Sequence, residues 1–165
     1  MKINQKYIAD LLNISRVTVT KALQNHPDIA LSTREKVKKV ADELGYIPNI
    51  VGRSLSTKKT NTIGVIVPKI NHSFFSTIIE ELYSNAKKVG YNIILMVSFE
   101  NEEAELDNVK SLLSMNVDGI IIDSVATSQK HKVHKLLNKH NKSFIYLDRK
   151  PVSLKNAIGV FFDDE

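Results

Sequence analysis

The residues best spaced for chemistry lie together near the start of the chain, in the stretch Ile8 to Leu23, reading IADLLNISRVTVTKAL. Its second half has an apolar side made of Val19, Ala22 and Leu23 at helical spacing, which leaves Arg16, Val17, Thr20 and Lys21 pointing outward near the first turns. That set suits a DNA duplex, since an arginine can bond guanine O6 and N7 together while hydroxyl and amide groups hold phosphate oxygens. On this reading Arg16, Val17 and Lys21 read base edges, and Asn4, Ser15, Thr18 and Thr20 hold phosphates.

The neighbouring residues supply the elements that must position them. Ile8, Leu11 and Leu12 recur at helical spacing beside small Ala9, predicting a first helix from Gln5 to Leu12 with Asn4 as its N-cap. Asn13 can take the left-handed conformation that ends a helix. Ser15 is placed to cap the second helix by accepting a backbone N–H near Val17 or Thr18. Two short helices joined in this way either pack as an ordinary helical hairpin or present the second helix to a major groove. Gln24 to Asp28 is loop, because Pro27 cannot continue a helix. A third helix, Leu31 to Leu44, carries Val37, Val40, Ala41 and Leu44 on one face and closes a three-helix core. Ala30 offers it no capping group, so Ser32 or Thr33 would have to serve, and Gly45 ends it.

Charge is distributed to match. Residues 1–60 carry 8 Lys and 3 Arg against 5 acidic groups, a net of +6, whereas residues 61–165 carry 12 basic and 13 acidic groups, a net of −1. A solvated basic face explains that asymmetry as simply as an electrostatic footprint for phosphates does; the helical pattern favours the footprint. With 0 Cys, neither a disulfide framework nor a thiolate metal site is available. No apolar run approaches the ~20 residues of a membrane span, and the amino terminus lacks the apolar core of a signal peptide, so a cytoplasmic location is the expectation.

From Thr62 the pattern changes to β-branched apolar runs, TIGVIVP, NIILMVS, VDGIIID, SFIYLD and AIGVFF, separated by helices near 74–89, 102–115 and 128–141. This predicts a doubly wound parallel α/β sheet, with ligands at the carboxyl ends of its strands. No GxGxxG, Walker, HExxH or GxSxG motif is present, so no enzyme activity and no cofactor are expected. His131 and His134 have metal-ligand spacing but sit among Lys130, Lys132 and Lys135, which reads as a solvated basic helix and not a metal site. The acidic run Glu100, Glu102, Glu103 and Glu105 opens a helix, where its negative charge favours the backbone dipole. Asn71, Phe74, Asp123, Ser124, Asp148 and Arg149 follow strands and could bind a small polar ligand. Phe75 reads as core, and Asp148 with Arg149 reads equally as a local salt bridge.

The pieces SRVTVTKAL, TREKV, ELGYIPN, RSL, TIGVIVP, Phe74-Phe75, VDGIII and LDR occur in an order that resembles the lactose-repressor (LacI/GalR) family of bacterial transcription regulators. The resemblance implies an all-α helix-turn-helix domain over 1–48 and a hinge helix with connector over 49–61. It also implies the N-terminal lobe of a periplasmic-binding-protein-like effector and dimerisation domain over 62–165. In the hinge, Leu55 would wedge into the minor groove, with Asn49, Arg53 and Ser54 against its walls or the backbone. Gly52 replaces the usual Ala and weakens that helix by roughly 1 kcal/mol. The same stretch taken alone reads as a plain linker. Gln5 stands where the family usually has an apolar residue and joins the DNA-contacting set; Tyr7 replaces the usual acid.

The resemblance therefore implies a homodimeric regulator, a repressor in the first instance, acting on a near-palindromic operator and controlled by a sugar or related effector. Two alternatives remain on sequence: a DNA-binding fragment with no effector response, and a sugar-binding protein of the periplasmic type. Family members continue past the fifth strand, where this chain stops at Glu165. As a fragment or a natural truncation, a chain of this length is expected to bind DNA weakly, to be largely monomeric when dilute and to show no effector response.

Overall fold

Two compact units, Met1–Asn49 and Ile50–Glu165, divide the chain in a computed structural model. The structure describes residues 3–48, 54, 59–71, 73–125, 132–151, 154 and 156–162, with backbone only at 73 and 74.

The first unit holds α1 (Gln5–Leu12), α2 (Arg16–Leu23) and α3 (Leu31–Glu43). Asn4 caps α1 by accepting from the Tyr7 N–H at 3.0 Å, and Asn13 ends it at φ 51°. Ser15 caps α2 by accepting from the Thr18 N–H at 3.0 Å. Both caps satisfy backbone donors that a helix start otherwise leaves unpaired. Ala30 begins α3 with no side-chain cap, so neither Ser32 nor Thr33 supplies the missing group; both already lie inside the helix. Ile8, Ala9, Val19, Ala22, Val37 and Ala41 form the core, with Leu12, Leu23, Val40 and Leu44 packed against it. Leu11, expected on the buried side of α1, is 56% exposed. At ~100° per residue, Ile8, Ala9 and Leu12 define the buried stripe and Leu11 falls off it.

The second unit runs β1 (Thr62–Val67), α4 (Ser73–Lys88), β2 (Asn92–Val97), α5 (Glu102–Ser114), β3 (Gly119–Ile122), α6 (Lys132–Lys139), β4 (Phe144–Leu147) and β5 (Gly159–Val160). The strands form one parallel sheet in the order β2-β1-β3-β4-β5, with Val65 level with Leu95 on one side and Ile121 on the other. Parallel strands need crossover connections; helices supply them from β1 to β4, whereas no helix is described between β4 and β5. Asn101 caps α5, its side-chain oxygen accepting from the Glu103 and Ala104 N–H groups at 2.9 and 3.0 Å. The core gathers Ile66, Val109, Leu112, Val117, Ile120, Ile122, Leu137 and Tyr146. Gly64 is required by that packing, because a Cβ there would lie 2.4 Å from Leu112 Cδ1. The expected fifth strand shrinks to two paired residues, leaving Phe161 and Phe162 exposed beyond it. Phe75, expected in the core, is only half-buried. Among the described residues no helix is long and apolar enough to cross a membrane.

Candidate nucleic-acid interface and ligand-binding edge

The outward face of α2 is built as its sequence pattern requires. Arg16 is exposed and makes no side-chain hydrogen bond among the described residues, and Val17 beside it is 65% exposed. Lys21 differs from expectation: its Nζ donates to Asp28 Oδ2 at 2.9 Å across the loop that follows α2. That bond, with His26 nearby, holds the Asp28 carboxyl below its ordinary value. Both partners are solvent-exposed, so a phosphate or base can take Lys21 over at small cost.

The hydroxyls proposed for phosphates are already engaged. Ser15 and Thr18 share a hydrogen bond at 2.8 Å in which either oxygen can donate, which leaves one hydroxyl hydrogen of the two for a ligand. The Thr20 hydroxyl lies 2.8 Å from Gln5 Oε1 and 3.0 Å from the Arg16 carbonyl oxygen, a three-centre arrangement that ties α1 to α2. Asn4 is exposed, with its side-chain oxygen occupied by the cap. Of the hinge positions only Ser54 is described, half-buried and helical; Asn49, Arg53 and Leu55 lie outside the described residues.

In the second unit the strand order reverses between β1 and β3, the place where open α/β sheets receive ligands at their carboxyl ends. Asn71 follows β1 and is exposed, while the side chain of Phe74 lies outside the described residues. Asp123 and Ser124 follow β3 and are 0% and 1% exposed. Arg149, after β4, does not pair with its neighbour Asp148. Its Nε donates to Asp123 Oδ1 at 2.9 Å, its Nη2 lies 3.4 Å from Oδ2, and its Nη1 lies 3.3 Å from Glu100 Oε2. Burial pushes Asp123 up to about 6, against the opposing pull of Arg149. Asp148 sits in the left-handed region at φ 60° and its N–H donates to the Val160 carbonyl oxygen at 2.8 Å, so its backbone serves the sheet edge.

Glu105 lies in the first turn of α5, as the acidic run predicts, but it is also a buried anchor. Only 2% exposed, it reaches from α5 to accept the Val125 N–H at 2.6 Å and lies 3.4 Å from the Ser124 hydroxyl, fixing the turn after β3. Burial raises it from 4.5 to about 7, partly offset by those two hydrogen bonds. A signal was present, because Glu105, Val109 and Leu112 fall at i, i+4 and i+7 on one face. His134 lies 3.3 Å from the Tyr146 hydroxyl and stacks on its ring. Among the described residues no cluster of three His, Cys, Asp or Glu could hold a metal ion.

A helix-turn-helix head followed by a parallel α/β layer with polar residues at its strand ends defines a two-part architecture of the regulator type. The chain belongs to the LacI family: residues 6–49 match the model described as bacterial regulatory proteins, lacI family, and residues 60–164 match periplasmic binding proteins and sugar binding domain of LacI family. It is 37% identical over 124 residues to catabolite control protein A of Priestia megaterium, covering 75% of this chain and 37% of that protein. It is 33% identical over 135 residues to the transcriptional repressor PurR of Vibrio vulnificus, covering 82% of this chain and 40% of that protein. A lac repressor dimer solved with operator and the anti-inducer ONPF superposes with a TM-score of 0.80 at 25% identity, over 99% of this chain and 49% of that one. The chain thus spans between a third and a half of the length of these relatives.

Proposed function

We propose that this protein is a sequence-specific DNA-binding transcriptional regulator, acting as a repressor on a near-palindromic operator as a homodimer and answering to a sugar-like effector. The observation that carries the reading is the first turn of α2, where Ser15 caps the helix and leaves Arg16 and Val17 fully presented. The positive charge of residues 1–60 supports it. Arg16, Val17 and Lys21 contact base edges; Asn4, Ser15, Thr18 and Thr20 contact phosphates. Asn49, Arg53, Ser54 and Leu55 supply the hinge contact in the minor groove. The division into a head over 1–48, a hinge and connector over 49–61 and an effector lobe over 62–165 belongs to the same proposal.

Effector binding involves Asn71, Phe74, Asp123, Ser124, Asp148 and Arg149. Because Arg149 is held by Asp123 and Glu100, an effector must displace the more exposed partner, Glu100, to reach its guanidinium. The relatives it matches, such as catabolite control protein A and PurR, are regulators by name, which favours regulation over catalysis. Fluorescence anisotropy with a generic labelled duplex tests the reading. Two ionic phosphate contacts already lower affinity about tenfold between roughly 50 and 200 mM salt. Binding that ignores salt contradicts it.

A further inference from the structure

Parallel strands joined by crossover helices bring the carboxyl ends of those helices to one edge of the sheet, its amino edge. Here α4 ends at Lys87 and Lys88, and α6 ends at Lys139. His140 follows, then Lys142, whose Nζ donates to the Val117 carbonyl oxygen between α5 and β3. The chain enters β1 at the same edge. Asp118 accepts the Thr60 and Asn61 N–H groups at 2.8 and 2.9 Å, and Asn61 Nδ2 lies 3.4 Å from the Gly90 carbonyl oxygen. The loops after α4, α5 and α6 thus meet around residues 60 and 61, with exposed Lys59 beside them. Segments 59–61, 87–91, 115–118 and 139–143 hold five lysines and one carboxylate, Asp118, although residues 61–165 carry a net −1. The three helix ends add about −0.5 charge each, together less than two lysines offset, so the edge stays positive. Lys87, Lys88 and Lys139 are exposed, and none forms an ion pair among the described residues.

Resting on the DNA-binding reading above, we infer that this amino edge of the second unit is a further, sequence-independent surface for duplex phosphates. Ten residues, 49–58, tether it to the head, so DNA held by the head meets this edge at a raised effective concentration. Lysines on flexible stems suit a phosphate backbone and carry no base preference. The edge therefore adds affinity and salt dependence, and leaves the choice of sequence to the head.

Anisotropy titrations of the 165-residue chain to saturation, on a long generic duplex at several salt concentrations, test this. Lys87→Gln, Lys88→Gln and Lys139→Gln together should lower the slope of log affinity against log salt. The loss is about 0.9 for every phosphate contact removed, so about 0.9–2.7 in all. Arginine at the same three positions should keep the parental slope. Lys69→Gln, Lys132→Gln and Lys135→Gln remove the same charge from exposed sites away from this edge, and should leave the slope unchanged. Equal slopes for the parent and the edge variant would overturn the inference and leave the edge to an acidic protein partner. Equal losses in the edge and control variants would overturn it as well, because net charge alone would then be acting. Binding by the unmodified chain that ignores salt would overturn the DNA-binding reading, and this inference with it.

Discussion

Replacing Glu105 by glutamine should remove a large part of the pH dependence of the α/β unit's stability. In the folded chain burial holds the Glu105 proton to about 7 instead of 4.5. When a carboxyl is raised in this way, the folded state binds the proton more tightly than the unfolded state between those two values. Stability is then fullest below 4.5 and falls as pH rises through that interval. The span corresponds to about 3 kcal/mol, an upper figure because the denatured chain is not fully solvated. Glutamine keeps an oxygen for the Val125 N–H but has nothing to titrate. Hydrogen exchange of β1 and β3 amides under urea, at several pH values, reads this unit separately from the head. The wild type should lose up to about 3 kcal/mol more than Glu105→Gln on going from below 4.5 to above 7. Parallel curves for the two proteins would show that Glu105 is not a buried titrating group, and the argument would fail.

Arg149→Met should cost about 3 kcal/mol at pH 8, because it strands a carboxylate that is 0% exposed. The loss should shrink at pH 5, where Asp123, pushed up to about 6 even with its partner, takes a proton; urea melts at both pH values check this. Gly64→Ala should cost about 1–3 kcal/mol by forcing Leu112 from its place, visible as a lower thermal midpoint of the α/β unit. Ser15→Ala should lower the head's stability by about 1 kcal/mol and weaken every duplex alike. Arg16→Ala should instead flatten preference at one operator position, by about 1–3 kcal/mol in competition assays with single-base variants.

The elements of the head were legible because their signals are local. Asn4, Asn13 and Ser15 act within three or four residues of themselves, so their roles follow from spacing alone. The strands were legible as apolar runs for a similar reason, and the parallel direction of β1 to β4 follows from the helices between them. Pairings that close over distance were not legible. Arg149 bonds Asp123 and Glu100 from 26 and 49 residues away, so adjacency to Asp148 pointed to the wrong partner. Lys21 with Asp28, and Gln5 with Thr20, likewise depend on how the helices pack. Glu105's burial was obscured by its acidic neighbours, whose common charge suggested one shared role at the start of a helix. Only the helical phase shared with Val109 and Leu112 singles it out.

The most direct test of the central claim is an amide chemical-shift titration of the chain with a duplex carrying its selected half-site. The account predicts shifts concentrated at the start of α1 and along the first turns of α2, strongest near Arg16 and Val17, with the strands β1 to β4 left unmoved by direct contact. Shifts centred instead on the carboxyl edge around Asp123 and Arg149, or a head whose amides ignore the duplex, would contradict it.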